Sequence, residues 1–532
     1  MILTIAFKEF YSNLISSRFV FGFLLCLFLV PFSLFVSIGD YKSQVRAYEV
    51  DRKAAEKENS SIRVYSALRP FLVKPPEPLS IFSRGISYNV GSKIQVLLGE
   101  KPFMTTGKSL DRENPFLNSF FSIDFISIIA IVMSLIAILF TYNTCSRERE
   151  MGTLKLALSN SVSRWKILLG KVLGVFITLL PIILFCYILC AFIILVSPRI
   201  AFSFDDWSRV VLLCAVSIVY IMIFMLMGMF ISTRTRSSAT SVVLCLFAWV
   251  LFVFIIPNLS VYAAQSLIKV ESQDNLRAGL NELDREFEKK LAAYRKELGM
   301  NRLIGFGYNG RRSDGRLELA GQTREFMEAQ KKFCEYSEPL RIDYAEKKWS
   351  LEKKYLDKLD FQRRWAEALA LVSPSELFRL TASMLCRTDA QSHYRFLATV
   401  GEYRDAIISF YQGKSLFASY AYFTRQPPET FMPAETYASL LTGGRAKSAA
   451  ELFALLGSHD FDPSTLVPIR TPESDAKAYP PLGLSNVPSF RWTPPPMGQE
   501  LRKIMVKLSS MVFAGIVLFP LSFVSFLRYD VR

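Results

Sequence analysis

Six nearly uncharged apolar stretches constrain this chain more than anything else in it: Phe19–Ile38, Phe120–Tyr142, Val172–Val196, Val210–Ile231, Ala239–Ile256 and Leu508–Leu527. Each matches the roughly 20 residues that a helix needs to cross a bilayer. Inside hydrocarbon the backbone has no water to bond with, so such stretches must be helices. Hydrophobic residues make up 51% of the chain, and the mean hydropathy is +0.26. The expected class is therefore an α-helical polytopic membrane protein. It has six transmembrane helices plus a mainly helical extracytoplasmic domain with a coiled hairpin and minor β or irregular parts.

The connecting segments fill in the layout. In residues 1–18, Leu3, Phe7, Phe10 and Leu14 share a helical stripe while Lys8, Glu9, Ser12 and Asn13 lie off it, as in an amphipathic helix lying in the membrane surface. No cleavable signal follows, so the first span is expected to stay as an anchor. Residues 39–118 start as a helix through Asp51 and Lys57 and become extended near Pro75, Pro76 and Pro78. Residues 145–171 form a short basic loop, and Pro181 predicts a kink in the third span. In the large segment 257–507, Leu276, Leu280, Leu283, Phe287, Leu291, Tyr294 and Leu298 are spaced by threes and fours. A glycine-rich stretch, Gly299–Gly315, precedes a second charged run, Thr323–Leu371, so an antiparallel helical hairpin is expected. Shorter helices at Ser375–Cys386 and His393–Tyr411 and a proline-rich stretch to Pro496 complete the segment.

Lysine and arginine in short loops set orientation. Lys8, Arg18, Arg147, Arg149, Lys155, Arg164, Lys166, Lys171, Arg234, Arg236, Arg528 and Arg532 fall on one side. The short loop opposite has Arg199 and Arg209 balanced by Asp205 and Asp206. Both termini, including the tail 528–532, are thus expected in the cytoplasm of a bacterial inner membrane, with the large domain periplasmic. Lys503 and Lys507 run against this bias and snorkel to the interface. Much of the net charge of +16 lies in these loop cations, and the remainder is intermixed with acids along helical stretches, which argues against nucleic acid as a partner.

Catalytic chemistry is hard to place. The chain has two histidines, His393 and His459, and neither begins a metalloprotease motif. Gly305, Gly307 and Gly310 spell GxGxxG, but they follow a charged helix rather than a strand, as a hairpin tip would. The methionines Met222, Met225, Met227 and Met229 suit a flexible packing surface better than a soft-metal path. No cofactor or metal is expected on this chain. Of eight cysteines, Cys334 and Cys386 fall in the large polar segment, where they are either a disulfide or two buried thiols. Asp124, an acid inside a span, is a functional candidate by its cost, but near the span end it also suits a hydrated or capping role.

The loop after the second span reads Arg147-Glu148-Arg149-Glu150-Met151-Gly152-Thr153-Leu154-Lys155, then Ser159, Ser163, Arg164, Ile167 and Leu169-Gly170-Lys171. On residues alone it is a juxtamembrane helix, a turn and the start of a span. It resembles the "ERE-x-GTL…S-x-P-V-S-R…L-x-GK" pattern of ABC-2 type transporter permeases, with Ser161 standing where that family usually has proline. Looser matches are Pro76-x-Pro78-Leu79-Ser80, Ser83-Arg84-Gly85, Asp124, Ser373-Pro374, Phe396, Tyr403 and Arg404. The whole chain is similar to a branch with a large extracytoplasmic insertion, related to gliding-motility-type permeases.

That resemblance implies a membrane subunit that is not itself an enzyme. MgATP would sit on a separate ABC ATPase subunit. Arg147, Glu148, Arg149, Glu150, Gly152, Thr153, Arg164, Gly170 and Lys171 would couple to that ATPase or to lipid headgroups. The permease would pair as a homodimer or with a related permease. The alternative is a membrane-anchored scaffold whose outer helical domain binds an envelope partner without moving a substrate.

Overall fold

The computed structural model describes residues 1–85, 92–101, 124–154, 163–198, 200–300, 308–309, 317–457, 462, 465–467 and 479–528. Gly305, Gly307, Gly310, Phe120, Lys155, Ser159, Ser161, Arg199, His459, Arg532 and the 102–118 stretch lie outside the described residues.

Helix α1 (Ile2–Leu14) is followed by α2 (Ser17–Ser60). At 44 residues, α2 extends about 66 Å at roughly 1.5 Å per residue, about twice the ~30 Å of hydrocarbon. Its apolar first half suits the bilayer, and its charged second half continues past it as the same helix. Helix α3 comprises Phe125–Ile128, a π turn at Ile129–Met133, and Ser134–Thr141. After the short α4 (Ser146–Glu150) come α5 (Arg164–Val196), with Pro181 inside it, and α6 (Phe204–Arg234). Ser203 and Asp206 close a capping box at the start of α6. Helix α7 (Ser238–Leu267) carries a second π turn, Leu251–Ile255. Among the described residues, six helices are long and apolar enough to cross a membrane: α2, the α3–α4 stretch, α5, α6, α7 and the last, Met497–Leu527.

The large polar domain opens with α8 (Gln273–Glu297) and α9 (Arg324–Ala370). They run antiparallel: Glu271 pairs with Lys358, Asp284 with Lys348, and the Tyr294 and Tyr336 rings lie 4.1 Å apart. Leu291 on the predicted seam is buried. Helices α10 (Pro374–Leu385), α11 (Ala390–Gly413), α12 (Ala434–Thr442) and α13 (Ala449–Leu456) follow, and α14 is Met497–Leu527. Two small hairpins add β1 (Phe71–Val73) with β2 (Lys93–Gln95) and β3 (Tyr308–Asn309) with β4 (Leu319–Ala320), both antiparallel.

Helix α10 is set into the end of the helical bundle. Its Leu377, Phe378, Ala382 and Leu385 belong to the same apolar core as the spans, and the Phe378 ring stacks on Tyr220 of α6 at 4.4 Å. Within the π turn of α7 the hydrogen-bond register is i to i+5, so the residue opposite the Phe252 carbonyl is Pro257, which has no N–H. That carbonyl accepts instead from the hydroxyls of Ser373 and Ser375 at the start of α10, the latter at 2.9 Å.

A second core, separate from this one, gathers Phe396, Tyr411, Phe417, Tyr422 and Phe423 around β1 and β2. The two cysteines left open by the sequence fall in different cores, Cys334 in this second one and Cys386 in the first. Both are free and buried, so the disulfide alternative gives way to two separate thiols. Burial pushes Cys334 up to about 12.

Candidate functional site

Three elements meet at the loop between the second and third spans: α1, α4 and the start of α5. Gly170 and Gly174 give α5 a smooth face. A Cβ at Gly170 would lie 2.8 Å from the Cβ of Ile5, and one at Gly174 would lie 2.8 Å from the Ala6 carbonyl. The close approach brings Glu9 of α1 to Lys171, whose Nζ is 2.9 Å from Glu9 Oε1 and 2.8 Å from Glu148 Oε1, and which also donates to the Thr144 carbonyl at 2.9 Å. Lys171 is 2% exposed. A buried ammonium demands such pairing, because desolvation would otherwise neutralise it. Lys171 is therefore the hub that joins α1, α4 and α5.

The rest of α4 is fastened on its other side to the last turn of α6, the α6–α7 loop and the first turn of α7. Arg149 donates to the carbonyls of Thr235 (2.8 Å) and Thr233 (3.0 Å). The backbone N–H groups of Cys145 and Ser146 donate to Ser232 Oγ at 3.0 and 3.1 Å. Glu150 Oε2 accepts from Ser238 N, in the first turn of α7, at 3.0 Å, a place where a carboxylate is favoured by the helix dipole. Arg164 donates to the Leu527 carbonyl in the last turn of α14 at 2.6 Å, and Arg18 donates to Asn143 at 3.1 Å.

The structure thus divides the sequence-derived candidates. Glu148, Arg149, Glu150, Arg164, Gly170 and Lys171 make bonds or close contacts with other elements, whereas Arg147, Gly152 and Thr153 lie on the exposed edge together with Met151, Thr153 bonding only locally to the Glu148 carbonyl at 3.3 Å. Gly152 has φ +73°, left-handed backbone that a side chain rarely adopts, and nothing lies within 4 Å of where its Cβ would be. Charge alone could not tell the inward members from the outward ones. Nor did the sequence single out Glu9, which carries half of the Lys171 pairing.

Asp124 is the N-cap of α3. Its carboxylate accepts from Ser127 N at 2.8 Å and from Arg84 N at 3.2 Å. It takes the capping alternative that the sequence left beside an intramembrane function. Of the loosely matching residues, Arg84 and Gly85 lie beside it, with Arg84 paired to Asp40 at 2.5 Å and Gly85, at φ +49°, packed so tightly that a Cβ would meet the Thr388 carbonyl at 2.4 Å, whereas Phe396 and Tyr403 belong to the second core and Ser373 holds the Phe252 carbonyl.

At the same end of the bundle an ionic network ties α6 and α14 to the polar domain. Arg209, with its side chain fully buried, contacts Asp205 at 2.9 Å and Glu500 at 2.8 Å. Glu500 also receives Arg395 at 2.9 Å, and Arg387 reaches Asp205 at 2.6 Å, Asp206 at 3.6 Å and Glu77 at 3.8 Å. Burial raises the Glu77 carboxyl above its ordinary range despite Lys74 and Arg387 beside it. Among the described residues no group of three or more His, Cys, Asp or Glu could hold a metal.

A family model for the ABC-2 family transporter protein matches residues 3–531. No curated protein matches the chain. A match over almost the whole length, with six apolar helices and the Arg147–Lys171 pattern in its expected place, leaves one assignment: the chain belongs to the ABC-2 transporter family, as a multi-pass permease component.

Proposed function

We propose that this permease works with a separate cytoplasmic ATPase that binds MgATP and docks on the exposed edge of α4. The observation that supports this is the fastening of α4. One short helix is bonded to α1 and α5 through Lys171, to the last turn of α6 through Thr233 and Ser232, and to the α6–α7 loop through Thr235. A push on Arg147, Met151, Gly152 and Thr153 would therefore reach several membrane helices at once. ATP can shift the two arrangements of the bundle only by the difference in ATPase affinity for them.

In this reading the termini and α4 lie in the cytoplasm of an inner membrane, the polar domain is periplasmic, and two permeases pair. The chain itself carries no nucleotide, and the cycle drives export or transmits force. The hairpin α8–α9 supports a second reading, in which it binds an envelope partner and nothing crosses.

The test is co-purification of the tagged chain with its ATPase from native membranes. Arg147→Glu with Met151→Asp should weaken capture by about tenfold while leaving the melting temperature of the isolated chain unchanged. Undiminished capture and turnover would remove the docking assignment. A cysteine placed at Lys289 should be labelled by an impermeant reagent from outside.

A further inference from the structure

Beside the entrance of α14 lies a cleft of about 1060 Å³, walled by α9, α10, the α10–α11 turn, the start of α14 and the start of α3. Its charged lining is evenly balanced by type: Lys353, Arg363, Arg364, Arg379, Lys503 and Lys507 against Asp124, Asp357, Asp360, Glu367, Glu376 and Asp389. The two sets differ in which members already have a direct partner. Asp124 caps α3 and Asp389 caps α11. Asp360 holds Arg363 and Arg364, and Glu367 holds Arg363. Lys353, Arg379, Lys503 and Lys507 make no ion pair or hydrogen bond among the described residues, although Glu367, Asp389 and Glu376 still act on Lys507 through space. The cleft is therefore neutral in total but holds four cations with no direct partner, where an anion can bind.

Two of those cations are the pair that runs against the charge bias of the short loops. Lys503 and Lys507 are one turn apart on α14, immediately before the apolar stretch that begins at Leu508. Between them and the bundle, Ile126, Leu380, Met384 and Val506 give the same cleft an apolar side. Cations at the edge of the apolar band, beside an apolar wall, match the two ends of an amphiphile.

We propose that this cleft binds an anionic amphiphile, a phosphate- or carboxylate-bearing headgroup held by Lys503, Lys507 and Arg379 with its chains against Ile126 and Val506. The site is independent of any ATPase contact, because binding is read on the isolated chain. Free phosphate offers the same charge without the chains, which sets the arms of the test.

Trp349 lines the cleft and serves as reporter in the purified full chain, with Trp349→Phe as the blank. The probes are dihexanoyl phosphatidylglycerol, dihexanoyl phosphatidylcholine and inorganic phosphate. We expect a saturable change with phosphatidylglycerol, weakened about tenfold by Lys503→Gln with Lys507→Gln, and much weaker responses to the other two probes. A phosphate response equal to that of phosphatidylglycerol would overturn the amphiphile. So would equal binding of phosphatidylcholine, or phosphatidylglycerol binding that the double variant leaves intact. The variant's melting temperature, expected unchanged, separates lost binding from lost folding.

Discussion

The backbone of Gly174 runs so close to Glu9 that a Cβ at position 174 would lie 2.5 Å from the Glu9 Cβ. That approach holds α1 against α5 and keeps Glu9 within reach of Lys171. Gly174→Ala should push α1 away and destabilise the chain by about 1–3 kcal/mol, the usual cost of overpacking. Gly515→Ala, where nothing lies within 4 Å of the added methyl, is the matched control and should be near neutral. Thermal melting in detergent checks both.

Removing the ammonium of Lys171 leaves two carboxylates facing each other where one cation had separated them. Lys171→Met should cost about 3–5 kcal/mol, as for other buried pairs broken on one side. Adding Glu9→Gln and Glu148→Gln should restore most of the loss, since no orphaned charge then remains. If the triple variant melts no higher than Lys171→Met, the pairing is not what holds the three helices together.

Loss of both hydroxyls at the start of α10 strands the Phe252 carbonyl beside a proline that cannot serve it. Ser373→Ala with Ser375→Ala should cost about 1–3 kcal/mol, the desolvation penalty of an unpaired buried acceptor, and each single substitution less. Accelerated proteolysis between α9 and α11 is the accompanying readout.

Glu352 carries the largest carboxyl shift in the polar domain that has a defined value. Burial, with Glu100 adding to it, raises Glu352 from 4.5 to about 7. A raised carboxyl favours the protonated fold, so its contribution is complete below about 4.5 and is lost as pH rises through about 7. Glu352→Gln should therefore raise the melting temperature at pH 8 and leave it unchanged at pH 4. Equal gains at both pH values would show that the charge is not the cause.

Much of the architecture could be read from the chain because the bilayer imposes one-dimensional rules: length, hydropathy and helical period. The site was legible only as a location. Periodicity placed Glu9 off the apolar stripe of α1, yet the reason it is there, Lys171, is far away in sequence and looked like one more loop cation. Glu148 and Arg149 read as outward-facing charges, but the carbonyls and the ammonium that turn them inward have no local signature. The helix Pro374–Leu385 was visible as a helix inside a polar segment. Nothing in its own pattern could say that its apolar face completes the wall of the membrane bundle, because that depends on Tyr220 and Phe252 in other helices.

Because Phe378 fills a place among the spans, the bulky domain and the bundle share one wall and cannot be separated cleanly. A shortened chain that joins α7 directly to α14 would keep every membrane-crossing segment and still open a hole beside Tyr220. Such a shortened chain would have to fill that gap with some other side chain, and grafting the polar domain onto another bundle would require matching the residues that face Phe378 as well.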